Sequence, residues 1–314
     1  MMNPQITLRQ LRFLLALSEE LNFSRAAEIC HVTQPTLSAG LRELEERLGI
    51  QLAERTKRSV IMTPLGAEIA ERARALLLAA EDIEVLAATQ GRPDRGDLRL
   101  GAIPTIGPFL IPRALPQIRV GFPELRLFLR EEMTESLAEG LLAGRLDLIL
   151  FAQPFDIEGI EVLHLFDDGY HLAMPPGVSR FGGGPVSGQA LEGARLMLLE
   201  RGHCLQRHAL KAFPDRDIEQ DESFSATSLA TLISMVSEGL GITLLPDLAI
   251  HAGVLTGQEI DLSPLSDACP RSVVLGWRPG SPRAEVFQAI GRMLQATQRA
   301  MREDWRIGGA PGGA

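Results

Sequence analysis

Cysteine is scarce: three in 314 residues, Cys30, Cys204 and Cys269, with no paired spacing among them. That excludes a disulfide framework and a four-ligand zinc site, and fits a chain kept in a reducing compartment. Long hydrophobic runs are missing as well. No apolar stretch approaches the roughly 18 residues that span a bilayer, and Met1 to Gln10 lacks a basic segment followed by an apolar run and a small-residue cleavage site. A soluble, cytoplasmic protein with no membrane partner is expected. No Gly-x-Ser-x-Gly elbow, HExxH pair or CxxC occurs, so an enzyme is not expected. The Gly182-Gly183-Gly184-Pro185 run has no Lys-Ser/Thr after it and opens no strand-to-helix turn, and Gly239-Leu240-Gly241 fails the dinucleotide pattern. His203 and His208 do not share a helical face. No cofactor and no metal is therefore expected.

What is present is enough apolar content, 45%, to bury real cores in about two domains. The net charge of −9 argues against wholesale coating of nucleic acid, but it is unevenly spread. Residues 1–66 carry 8 basic and 7 acidic side chains, so the chain is acidic only beyond its first fifth.

From Thr7, Leu8, Leu11, Leu14, Leu15 and Leu17 recur at helical spacing up to Glu19 and Glu20. Ser24 is positioned to cap a short second helix ending near Cys30, and His31-Val32 breaks it. Thr33 precedes a third helix with Pro35 in its first turn and Leu37, Leu41, Leu44 and Leu48 on one side, stopping at Gly49. Two short extended stretches follow, Ile50-Gln51-Leu52 and Ser59 to Met62, joined by a charged tip from Glu54 to Arg58, which reads as a hairpin wing. Thr63-Pro64 opens a long helix whose apolar side, including Ile69, Leu76, Ile83 and Leu86, suggests dimerisation or ordinary packing.

Beyond Asp97 the pattern changes to strands alternating with helices: strands at 98–103, 125–129 and 146–151, helices at 108–120 and 134–143, hence a parallel sheet. A second α/β set has strands near 171–174, 196–199 and 242–245 and helices near 205–213 and 228–238. A strand at 273–277 then returns before a terminal helix, 283–301. The fold expected is an N-terminal all-α winged helix-turn-helix with a C-terminal, periplasmic-binding-protein-like, two-subdomain α/β effector domain, whose cleft at strand carboxyl ends suits a small ligand. The expected boundaries are 1–63 for the head, 64–95 for the linker helix and hinge, and 96–305 for the effector domain, with 306–314 a flexible tail. Within the effector domain, about 96–170 and 271–305 form one subdomain and about 171–270 the other.

Reading DNA needs a rigid helix whose first residues meet base edges while basic groups hold phosphates on either side. Gln34, Pro35, Thr36 and Ser38 stand at the head of the third helix, Arg42 further along, Ser24 and Arg25 on the second helix, and Arg55, Lys57 and Arg58 on the wing. Short helix pairs joined by tight turns also occur in bundles that bind no DNA. The stretches Phe23-Ser24-Arg25-Ala26-Ala27-Glu28, Val32-Thr33-Gln34-Pro35-Thr36-Leu37-Ser38 and Leu44-Glu45-Glu46-Arg47-Leu48-Gly49 resemble the winged helix of LysR-type transcriptional regulators. Thr63-Pro64-Leu65-Gly66 resembles the start of that family's linker helix, so the likeness spans nearly the whole chain. It implies double-stranded promoter DNA as partner, a homodimer or homotetramer, and contact with RNA polymerase.

Within that family, residues 103–108, 200–205, 226–229 and 278–282 resemble the peroxide-sensing OxyR subfamily. The resemblance implies Cys204 as the thiol that meets hydrogen peroxide, with Thr105, Thr134, His203 and Arg278 as candidates to hold the oxidant. The residues themselves support a reactive Cys204: a short helix should follow it, and Arg201, His203, Arg207, His208 and Lys211 are close in sequence. Cys30 and Cys269 read as structural. One departure stands out, because the subfamily carries a second cysteine nine residues after the first, and here that position is Phe213. Three outcomes stay open: a one-cysteine switch through sulfenic acid or a mixed disulfide, sensing by binding alone, or response to a different, small anionic ligand met by Thr105, Ser228 and Arg278. Cys269 could resolve Cys204 only if folding brings the two within roughly 7 Å between Cα atoms.

Overall fold

The computed structural model describes residues 6–55, 60–88, 91–177, 184–200, 204–213, 218–221 and 226–308. Contacts divide the chain between Gly91 and Arg92.

In the first unit, Thr7 and Gln10 cap α1 (Leu8–Glu20) reciprocally: the Thr7 hydroxyl accepts from the Gln10 N–H at 3.3 Å and the Gln10 amide oxygen accepts from the Thr7 N–H at 3.0 Å. The next helix, α2 (Phe23–Ile29), is capped one residue pair earlier than the sequence suggests. Asn22 Oδ1 accepts from the Ser24 and Arg25 N–H groups at 2.9 and 3.1 Å, which leaves Ser24 inside the first turn. His31, at φ 52°, makes the tight reversal into α3 (Gln34–Leu48), which Thr33 caps and Gly49 ends in the left-handed conformation. Leu14, Leu17, Leu37, Leu41 and Leu44 close the core of this bundle.

The wing pairs β1 (Ala53–Arg55) with β2 (Val60–Met62), so the first strand begins after Leu52 rather than at Ile50. The reason is local. Glu45 Oε1 accepts from the Leu52 and Ala53 N–H groups at 2.9 and 3.4 Å, and the buried Leu52 anchors the turn instead of a ladder. The long helix α4 (Pro64–Ala88) starts against that turn, where a Cβ on Gly66 would lie 2.0 Å from the Leu52 carbonyl oxygen. Leu11, Ala73 and Leu77 pack α4 on α1, and Arg74 pairs with Glu19 at 2.7 Å. Leu76 and Ile83 on α4 are exposed.

Among its described residues the second unit holds a five-stranded sheet, a three-stranded sheet and a two-stranded pair. The first contains β3 (Gly96–Ala102), β4 (Leu125–Glu131), β5 (Leu148–Gln153), β6 (Glu161–Asp168) and β12 (Arg271–Trp277) in the order β4-β3-β5-β12-β6. β3, β4 and β5 are parallel, joined by α5 (Gly107–Gly121) and α6 (Thr134–Leu142) as the alternation predicts. The returning strand β12 lies antiparallel to β5 and β6, and β6 itself is absent from the sequence reading. Its mixture of charged and apolar residues shows no clean period.

The chain crosses at Gly169 into β7 (Tyr170–Met174), which sits between β10 (Thr243–Pro246) and β11 (Asp261–Pro264), antiparallel to both. Around this second sheet lie a 3-10 turn (Gly188–Leu191), the parallel pair β8 (Arg195–Leu196) and β9 (Glu219–Gln220), and the helices α7 (Cys204–Lys211), α8 (Leu229–Ser237) and α9 (Asp247–His251). Each sheet has its own apolar core, one around Leu100, Leu148 and Phe151, the other around Leu172, Leu196 and Leu244. The last helix, α10 (Ala284–Gly308), runs past the expected Met301 because Trp305 has a dock: its ring lies 4.9 Å from that of His251 and 5.8 Å from that of His171. No described helix is long and apolar enough to cross a membrane.

Candidate functional site

In the head, Gln34, Pro35 and Thr36 are exposed on the first turn of α3, Ser38 is half-buried behind them, and Arg42 is exposed one turn on. The Thr33 cap takes up the Thr36 N–H and lies 2.8 Å from the Thr36 hydroxyl, while the Gln34 side chain accepts from Ser24 Oγ at 3.5 Å, so α2 and α3 present one polar end. Arg25 is exposed beside it. A helix N-terminus carrying donors and acceptors, free of apolar cover, is the surface that major-groove reading requires. Arg55 ends β1, and Lys57 and Arg58 lie outside the described residues. Cys30 closes α2, where burial pushes its thiol pKa up against the opposing pull of Arg12.

In the effector unit the polar centre is built where parallel strands end. Thr105 follows β3 and Thr134 follows β4, and both are buried. The resemblance implies Arg278 as a candidate to hold the oxidant, and in the structure that side chain does not reach Thr105. Arg278 lies just past the carboxyl end of β12, donating to the Leu141 and Leu146 carbonyls at 2.8 and 2.6 Å, where it ties down the end of α6. The side chain that reaches Thr105 is Arg271, at the opposite end of that strand. Arg271 Nη1 donates to Thr105 Oγ1 at 2.8 Å and Nη2 to the Thr105 carbonyl at 3.1 Å. Its other face donates to Asp168 Oδ2 through Nε and Nη2 at 3.0 and 2.8 Å, and Asp168 Oδ1 accepts from the Leu248 N–H at 2.8 Å. Burial pushes the Asp168 carboxyl up, with Arg271 and the Leu248 N–H pulling against it. Neither Arg271 nor Asp168 is marked in the sequence, since they come together across more than one hundred residues.

The helix headed by Cys204 is brought to this centre. Arg207 donates to Glu135, next to Thr134, at 2.8 Å and stacks over Phe155 at 5.0 Å. His208 is buried, and burial followed by the charge of Arg271 lowers its pKa to about 3, so the imidazole is neutral at any ordinary pH. His208, Lys211 and Arg271 share a cavity of about 330 Å³ with Pro154, Tyr170, Cys269 and Pro270. Leu205, Ala209 and Phe213 face the second core, so Phe213 fills space at the position where the subfamily has a cysteine. His203 lies outside the described residues. Ser228 caps α8, its hydroxyl accepting from the Thr231 N–H at 3.2 Å. Among the described residues no three His, Cys, Asp or Glu side chains cluster as metal ligands.

A winged head followed by two linked α/β sheets around a ligand-sized cavity defines a DNA-binding regulator with a sensory domain. The chain belongs to the LysR family of such regulators. Residues 8–67 match that family's bacterial regulatory helix-turn-helix model and residues 91–299 its LysR substrate binding domain. The chain is 39% identical over 293 residues to the HTH-type transcriptional regulator EstR of Acinetobacter baylyi, covering 92% of this chain and 96% of that one. It is 36% identical over 291 residues to the DNA-binding transcriptional dual regulator OxyR of Escherichia coli, covering 93% and 95%. A full-length OxyR variant from Pseudomonas aeruginosa matches with a TM-score of 0.73 at 33% identity, covering 93% of this chain and 96% of that one. A hydrogen peroxide-bound OxyR variant from Corynebacterium glutamicum matches at 0.63 and 29%, covering 95% and 94%.

Proposed function

We propose that this LysR-type regulator responds to hydrogen peroxide through Cys204. The observation that carries this reading is the convergence on one buried polar centre: Thr105 held by Arg271, Thr134 on the neighbouring strand end, and α7, which Cys204 heads, fastened beside them by Arg207 and Glu135. A helix N-terminus carries partial positive charge, which favours a thiolate, the form that reacts. In the step itself the Cys204 thiolate attacks one peroxide oxygen, the O–O bond breaks, an S–OH forms, and the departing hydroxide takes a proton to become water. Thr105, Thr134 and His203 hold the oxidant, and Arg271 keeps Thr105 in place. Relatives from several bacteria are named hydrogen peroxide-inducible genes activators, which supports the same reading.

On DNA, Gln34, Pro35, Thr36 and Ser38 meet base edges, and Ser24, Arg25, Arg42, Arg55, Lys57 and Arg58 hold phosphates. The protein works in the cytoplasm as a homodimer or homotetramer, contacts RNA polymerase, and turns over no substrate. A second reading, a small anionic ligand met by Thr105 and Ser228 with Cys204 a bystander, is favoured by the cavity that sets Lys211 and Arg271 on its wall. Substituting Cys204→Ser separates the two: loss of the peroxide response in a reporter assay supports the first, and an unchanged response overturns it.

A further inference from the structure

We infer that Cys269 is the thiol that resolves oxidised Cys204, taking from a distant loop the role that Phe213 cannot perform. The inference rests on the peroxide reading above, and the starting observation is a backbone contact. The Cys269 N–H donates to the Ala212 carbonyl at 2.7 Å, which sets this cysteine at the carboxyl end of α7, beside Phe213. Phe213 itself is committed to packing: it is buried, and a Cβ on Gly188 would come within 2.5 Å of its ring. Cys269 by contrast is an exposed free thiol on the cavity wall. On the same wall His208 is more than nine-tenths buried, with an Nδ1 that has no hydrogen-bond partner among the described residues. In a largely apolar cavity an unpartnered buried imidazole nitrogen is left without compensation, and a thiol or the hydroxide leaving a sulfenic acid is a guest that can hydrogen-bond to it. Lys211 lines that wall as well.

The chemistry balances without a further reagent. The Cys269 thiolate attacks the sulfur of the Cys204 sulfenic acid, the S–S bond forms, the S–O bond breaks, and hydroxide leaves to be protonated to water. Two thiols and one peroxide give one disulfide and two waters. Geometry makes this step a structural event. Cys204 and Cys269 stand at opposite ends of α7, and its eight residues span about 12 Å at 1.5 Å per residue, beyond the roughly 7 Å between Cα atoms that a disulfide tolerates. The bond closes only as α7 unwinds, which draws Leu205 and Ala209 out of the second core. Cys269 is also two residues from Arg271, so the same bond pulls on the loop that carries the chain back into the first sheet.

The test uses reduced full-length protein with one equivalent of hydrogen peroxide, quenched over time with dimedone and mapped by mass spectrometry without reduction. The expected result is a Cys204–Cys269 linked peptide, and a dimedone-trappable Cys204 that persists at least about tenfold longer in Cys269→Ser than in the unsubstituted chain. Cys269→Ala serves as a second variant, and Cys30→Ser should leave the bond unchanged. Equal lifetimes with no linked peptide, or a bond from Cys204 to Cys30 or to another copy, overturn the resolving role while leaving peroxide sensing intact. A Cys204 that is never oxidised defeats both.

Discussion

Arg271 and Asp168 face each other across the register of two antiparallel strands, and each side chain is 1% exposed. Asp168 is the last residue of β6 before the chain crosses into the second sheet, and Arg271 is the first residue of β12 after it returns. One ion pair therefore clamps both crossings, and the remaining face of the guanidinium carries Thr105. A pair this dry adds little net stability compared with an apolar packing, but either partner alone is a buried charge without compensation.

Replacing Arg271 by Met should therefore lower unfolding stability by about 3–5 kcal/mol, measured by urea titration. Arg271→Lys should recover only part of this, because an ammonium cannot reach Asp168 and Thr105 with fixed parallel bonds. An unchanged midpoint in Arg271→Met would contradict the clamp.

His208 makes stability depend on pH in a defined window. Its folded pKa, about 3, lies below the usual imidazole value of 6.5, so the unfolded chain binds a proton there that the folded chain refuses. The contribution is present above pH 6.5 and is lost as pH falls toward 3, by up to about 1.4 kcal/mol per pH unit. His208→Leu should flatten this slope between pH 6.5 and 4. A slope equal to that of the unsubstituted chain would show that His208 protonates freely.

Arg278→Ala separates support from chemistry. Freeing the Leu141 and Leu146 carbonyls should cost about 1.5–3 kcal/mol in a thermal melt, as for hydrogen bonds from a charged donor. The rate of Cys204 oxidation by peroxide should hold within about twofold, whereas Thr105→Val should slow it by about tenfold or more. Equal slowing in both would return Arg278 to the oxidant site.

On DNA, Gln34→Ala should lose about 1–3 kcal/mol of discrimination at one base position. Arg58→Ala should instead weaken all sequences alike and lower the salt slope by about one. Titrations against operator variants at several salt concentrations distinguish these patterns.

Much of this was legible in the residues. The leucine spacing, Pro35 and Gly49 mark α3, and the βαβαβ alternation marks the parallel sheet, because each rests on local periodicity. What escaped depends on competition or distance. Asn22 and Ser24 are both good caps, and only the backbone path decides that Asn22 accepts both amides. Glu45 takes the N–H groups that a strand at Ile50 would have needed. Arg271 and Asp168 carry no motif, and Arg278 drew attention because its neighbours do. The place of Cys269 at the end of α7 is likewise invisible in the sequence, since it comes from a contact between Ala212 and a loop far along the chain.

The central claim, a LysR-type regulator whose DNA contacts are set by oxidation at Cys204, is tested most directly by footprinting its operator with reduced protein before and after stoichiometric hydrogen peroxide. The account predicts an altered footprint in the unsubstituted chain, reversed by a thiol reductant, and a fixed one in Cys204→Ser. A footprint that peroxide leaves unchanged, or one that changes equally in Cys204→Ser, would contradict it.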